Sequence, residues 1–252
     1  MPVFLFAEGI ILRGRSLLII FIIVIAGSLL LTAANFYLDL LWFQDLEAGQ
    51  VFWTQYLTRW GVRIGAFLFL FVFFFINLFF TRSYILSFPN LALRERLMAS
   101  GFMRYLTPRR LTVYFLIGAA VLAYMFSGYT GSYWMDFLRF FNHVPFAVSD
   151  PIFGQDVAFY VFKLPFYRFL YGFFMMAAVI SMLLVGAIYF LLNPPAQGRR
   201  GWALPAGRGV SHLAVLLAFI FGLKAWDYRL QQLELVLSER GVVYGAGYTD
   251  IN

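Results

Sequence analysis

The sequence predicts an all-helical, polytopic membrane bundle of about five spans, with amphipathic helices on its outer face. Three observations carry that prediction. Hydrophobic residues make up 62% of the 252 positions and charged residues only 12%, about half the charged share of a soluble domain. Five apolar runs come close to the roughly 20 helical residues needed to cross a bilayer. The basic residues alternate between the links joining these runs in the pattern that sets membrane orientation.

Arg13 and Arg15 precede the first span, residues 16–38. A cleaved signal peptide has a similar layout, but the repeat described below requires this helix to be kept. Residues 39–60 form an outer loop, too polar to span and too aromatic for a plain connection. Within it Trp53, Leu57 and Trp60 share one helical face while Gln55, Arg59 and Arg63 share another, the pattern of a helix lying in the membrane interface. The second span covers 61–80, with Arg63 placed to snorkel outward. A link carrying Arg82, Arg94, Arg96, Arg104, Arg109 and Arg110 against Glu95 leads into the third span, 112–130. The outer loop 131–168 and the fourth span 169–192 follow. Asn193-Pro194-Pro195 then stops the helix, because proline lacks the N–H that the ladder requires. Arg199, Arg200 and Arg208 precede the fifth span, 210–226, which passes into a polar outer segment, 227–252. All 252 residues are read as one transmembrane domain, and as a fragment of a longer chain.

Charge fixes the expected orientation. With the N terminus inside, eleven basic residues fall on cytoplasmic segments against Glu8 and Glu95, while the other eight face ten acidic residues outside. The net charge of +7 therefore reads as a topology signal. No basic run or nucleic-acid module accompanies it, so no nucleic-acid partner is expected. The expected location is a bacterial inner membrane, with the N terminus cytoplasmic and the C terminus extracytoplasmic.

A loose repeat accompanies the spans. Each in-to-out span ends on an aromatic residue beside an aspartate: Tyr37 with Asp39, Trp134 with Asp136, and Trp226 with Asp227. An amphipathic segment follows each time. Trp134, Phe137, Leu138 and Phe141 line one face of the second, and Trp226, Leu230, Leu233 and Leu237 one face of the third. A glycine-containing aromatic turn completes the unit.

Chemistry-bearing residues are few. The chain has no cysteine and only two histidines, which excludes a thiolate site and argues against an all-protein zinc centre. No phosphate loop or hydrolase elbow is present, and no cofactor is expected. Asp150 and Asp156, with His143 nearby, form the one polar cluster. They suit either an outward-facing cation site or a turn in which Asp150 precedes Pro151 and Asp156 caps the next segment, and the turn is favoured. Asp39, Asp136 and Asp227 lie near the outer boundary, where anchoring is expected ahead of an ion path. Lys224 and Arg229 flank Asp227 and are expected to pair with it. His212 is expected to snorkel at the start of the fifth span.

Three stretches resemble one family. DPIFGQDVAFYVFKLPFYR at residues 150–168, LDLLWF at 38–43 and GVVYGAGYTDIN at 241–252 are similar to Uncharacterised Protein Family 0182, bacterial multi-pass membrane proteins. The resemblance implies a much longer protein, with further spans and a large extracytoplasmic region after residue 252. It supplies no catalytic residues.

The leading functional expectation is a membrane anchoring or scaffolding module in the lipid bilayer. It would present Asp150, Asp156, Phe159, Tyr160 and Lys163 as an outer docking surface, either to its own missing extracytoplasmic domain or to envelope proteins. The alternative is a transporter or channel built from two-helix repeats, with Asp39, Asp136 and Asp227 along its path. An envelope enzyme using Asp150 and Asp156 ranks below both.

Overall fold

The computed structural model describes residues 3–87, 91–193, 207–238 and 245–246. No strand occurs among them, and β pairing is limited to an isolated bridge between Ser149 and Asp156. The described residues form seven α-helices: α1 (Val3–Asp45), α2 (Gly49–Ser87), α3 (Leu91–Ala99), α4 (Pro108–Ser127), α5 (Trp134–Asn142), α6 (Leu164–Leu192) and α7 (Arg208–Glu234). Among the described residues, five helical segments are long and apolar enough to cross a membrane: Ser16–Asp45, Gly49–Ser87, Pro108–Asn142, Phe159–Leu192 and Arg208–Leu237. The fold is therefore an all-α multi-pass membrane fold. The 241–252 stretch and the Pro194-Pro195 stop lie almost wholly outside the described residues.

The chain divides into two compact units, Met1–Leu57 and Thr58–Asn252. In the first, Phe36 of α1 meets Phe52, Trp53 and Tyr56 at ring separations of 5.4, 6.4 and 5.1 Å. Edge-on contacts of this kind let rings pack without stacking their negative faces. The apolar window of α1 is otherwise unburied, and Leu29, Leu30 and Leu31 are all more than 60% exposed. Such a surface is stable where the solvent is lipid.

In the second unit, Leu70 and Phe74 of α2 interdigitate with Ala119 and Ala123 of α4 and with Phe173 and Ala177 of α6. Alanine opposite phenylalanine lets helix axes approach while the rings fill the space, which matters where lipid tails provide no hydrophobic drive to associate. A second cluster joins Tyr160 and Leu164 to Leu230 and Leu233 of α7, and a third joins Val185 and Tyr189 of α6 to Leu216 of α7.

Three expectations about boundaries are corrected. Residues 39–60 are not an outer loop with a separate interfacial helix: α1 continues to Asp45 and α2 begins at Gly49, leaving a short turn in which Glu47 adopts φ 55°. Gly61 does not interrupt α2, since each helical hydrogen bond kept inside avoids an unsatisfied group at the membrane. The amphipathic segment after the fifth span is likewise a continuation of α7 rather than a distinct helix. Only the middle segment is separate: α5 follows a 3-10 stretch at Gly128–Tyr133.

Leu164-Pro165 does not limit where helix resumes after the loop. Instead the chain is helical from Val157, and a π-helical turn at Phe159–Lys163 precedes Pro165. Proline in a regular helix would leave a carbonyl without a partner and press its ring on residue i−4. The wider π turn relieves both. Elsewhere, Thr107 caps α4 by accepting from the Arg110 N–H, with Pro108 in the first turn where its missing N–H costs nothing.

Candidate functional site

The segment between α5 and α6 is organised by its two aspartates. Asp150 Oδ1 accepts the backbone N–H groups of Ile152 and Phe153 at 2.8 and 3.0 Å. Its Oδ2 accepts the Gln155 N–H at 3.1 Å and the Tyr160 hydroxyl at 2.7 Å. Gly154, at φ 65°, makes the reversal that returns the Asp150 N–H to the Gln155 carbonyl. Asp156 Oδ1 accepts from the N–H groups of Phe146 and Ala158, and its Oδ2 from Ala147, at 2.7–3.1 Å. One carboxylate thus pins the strand-like approach at 146–148 and caps the helical segment beginning at Val157.

Burial works against ionisation of Asp150, but the hydrogen bonds from Phe153, Tyr160, Ile152 and Gln155 outweigh it and hold its carboxyl below the usual range. Asp156 is held low as well, chiefly by the Ala158 and Phe146 N–H groups. With these lone pairs occupied, the two aspartates act as backbone acceptors. His143 Nδ1 turns away to the Phe140 carbonyl at 2.8 Å. Among the described residues, no three His, Asp or Glu side chains gather at metal-binding distance.

This arrangement corrects the expected surface. Asp150 is 7% exposed and Tyr160 5%, Tyr160 being packed on Leu164, Leu230 and Leu233. Phe159 packs on Tyr160 and Tyr167. Lys163 is half-buried. The side chains displayed are instead Val144, Phe146, Val148 and Val161, each 47–70% exposed, with Phe146 braced on Phe162 at 5.7 Å.

The repeat aspartates differ from one another. Asp227, 3% exposed, accepts from Arg168 Nη1, from Lys224 Nζ at 2.7 Å and from Gln231 Nε2 at 2.9 Å. Arg168 also sends Nε and Nη2 to the two oxygens of Glu234, a bidentate fork that only guanidinium provides. Arg229, expected to pair with Asp227, bonds Gln232 instead. Asp136 is half-buried and lines a cavity of about 320 Å3 with Tyr129, Tyr133 and Arg168. Asp39 is exposed in the N-terminal unit. The structure therefore pairs Asp227 with Arg168 and places Asp136 in a cavity that Arg168 also lines, and Arg168 is a residue that sequence reasoning passed over. Its one signal was a cation at the start of a long apolar run, where an unpaired charge is costly.

At the other end of these helices, His212 is not a snorkelling side chain. Asn77 donates Nδ2–H to the Phe73 carbonyl at 2.7 Å, which fixes its amide so that Oδ1 faces His212 Nε2 at 3.2 Å. Nε2 must then carry the proton, leaving Nδ1 to accept from the Tyr189 hydroxyl at 3.1 Å. Asn193 donates to the Tyr84 hydroxyl at 2.5 Å. These bonds tie α2, α6 and α7 together.

Comparison with known proteins decides the lineage. The model of an uncharacterised protein family (UPF0182) matches residues 16–252. The chain belongs to this family. Among its UPF0182 relatives, a protein of Moorella thermoacetica is 39% identical over 92% of this chain, and one of Pelotomaculum thermopropionicum 35% identical over 88%. A UPF0182 protein of Desulforamulus reducens is 32% identical over 96%. The chain spans only about a quarter of each relative's length, at 26%, 25% and 28%. No solved structure matches the chain.

Proposed function

We propose that this chain is a membrane anchoring module of a bacterial inner membrane that presents the ordered segment at 144–161 on its extracytoplasmic side as a docking surface for polypeptide. The arginine-rich links between α2 and α4 and between α6 and α7 support that orientation. The observation that carries the reading is the division of labour within the segment. Asp150 and Asp156 use their oxygens to rigidify the backbone, while Val144, Phe146 and Val148 stand exposed on it. A preorganised apolar edge of this kind loses little entropy on binding, and exposed apolar side chains grouped on one segment mark interaction sites. The occupant is the extracytoplasmic part of a longer chain or an envelope protein.

A photocrosslinker at position 146 in native membranes tests this. It is expected to capture polypeptide, identified by sequencing the adduct, while one at Leu183, 67% exposed on α6, captures lipid. Lipid adducts alone at both positions contradict the proposal. The cavity shared by Asp136 and Arg168 favours a second reading, a transport path. It is the weaker one, because Arg168 and Lys224 already neutralise Asp227.

A further inference from the structure

One groove that the polar network borders lies at the arginine-rich end, where Ser87 closes α2 and Arg208 opens α7. Its volume is about 830 Å3, within the size range of small-ligand sites. Among the described residues no carboxylate lines it. Arg208 takes part in no hydrogen bond or ion pair among the described residues, and neither does Ser83 on the facing helix. Tyr84 accepts from Asn193, so its own hydroxyl hydrogen remains to be given. The groove therefore collects a guanidinium and two hydroxyl donors, with no carboxylate among its described lining residues to meet them. That is the complement of an oxyanion.

Its other wall is apolar. Phe80 and Val215, 63% and 67% exposed, flank the polar lining on the surface that lipid covers. A soluble anion has no use for such a wall, whereas a lipid needs one beside its headgroup for the upper acyl chain. Depth agrees, since the groove sits where three apolar helices end and the basic links begin.

We propose that this groove binds the phosphate headgroup of an anionic phospholipid. Arg208, Ser83 and Tyr84 donate to the phosphate oxygens, and Phe80 and Val215 hold the first part of the chain. His212 contributes shape rather than a donor, because its Nε2 proton is committed to Asn77.

Native mass spectrometry of the delipidated protein, with phosphatidylglycerol or phosphatidylcholine added back, provides the test. One phosphatidylglycerol per chain is expected to be retained in preference to phosphatidylcholine. Arg208→Gln is expected to weaken retention roughly fivefold, the value of one basic residue at a lipid surface. Val215→Trp, which narrows the groove and leaves Arg208 in place, is also expected to weaken it. Arg109→Gln, which alters an exposed arginine outside the groove, is expected to have no effect. Thermal melts matching the parent protein establish that the variants are folded. Unchanged retention in Arg208→Gln overturns the proposal, and so does equal loss in Arg109→Gln, which would mean diffuse surface charge. Displacement of the lipid by inorganic phosphate also overturns it, in favour of a soluble-anion site.

Discussion

Replacing Arg168 with alanine is expected to destabilise the protein by about 3 kcal/mol, the lower end of the cost of breaking a buried ion pair from one side. Asp227 is 5% exposed at its side chain and relies on Arg168 and Lys224 for neutralisation. Lys224 stays in place, which keeps the loss at that lower end. Glu234 is 36% exposed at its side chain, so most of its stranded charge returns to water. Arg168→Lys is expected to recover less than half, because one ammonium cannot supply the paired fork to Glu234 together with a third bond to Asp227. Adding Asp227→Asn to Arg168→Ala is expected to restore part of the loss by removing the charge that the first change exposed. Unfolding in detergent or nanodiscs measures all three. Parent-like stability of Arg168→Ala would show that the α6 to α7 junction rests on apolar packing alone.

Asp150→Ala is expected to cost about 2 kcal/mol, concentrated in one segment. It removes four hydrogen bonds, each worth on the order of 1 kcal/mol net, and water replaces part of that loss at the three backbone N–H groups, which are only partly buried. Amide exchange should rise at Ile152, Phe153 and Gln155, whose N–H groups lose their acceptor, while α2 and α4 keep their protection. The same carboxylate predicts a pH dependence. Its folded pKa lies below the ordinary value of 3.8, so its stabilisation is fully present above that value. It is lost as pH falls through the depressed folded pKa. Asp156 is shifted in the same direction and adds to the effect in the same window. Protection should thus be flat from neutral pH down to about 5 and fall below about 3.8. A decline beginning near pH 6 would contradict this assignment to the two aspartates.

Much of the fold was legible because membrane crossing is a one-dimensional constraint. Apolar length and arginine placement identified five helices, and the fourth ends at Leu192. The continuity of helices was less legible. Polar residues such as Gln55 and Arg59 signalled an exit from the apolar core, yet α2 passes through them, since polarity reports the solvent rather than a break in the backbone. Pro165 is a related case. Its expected disruption is absorbed by a π turn, which depends on neighbouring carbonyls and carries no composition signal. Within the site, the turn-forming roles of Asp150 and Asp156 followed from their positions beside Pro151 and ahead of the next segment. The partner of Asp227 did not, because Arg168 lies 59 residues away in sequence and only the packing of α6 on α7 brings them together.

The most direct measurement is cysteine labelling with a membrane-impermeant maleimide, for which the chain offers a background without cysteine. Val148→Cys on the displayed segment and Met98→Cys in the arginine-rich link are suitable probes, the native side chains being 60% and 50% exposed. In cells whose inner membrane is intact, the account predicts labelling at position 148 and none at 98 until that membrane is permeabilised. Labelling at 98 with silence at 148 would invert the orientation and remove the basis for an extracytoplasmic docking surface.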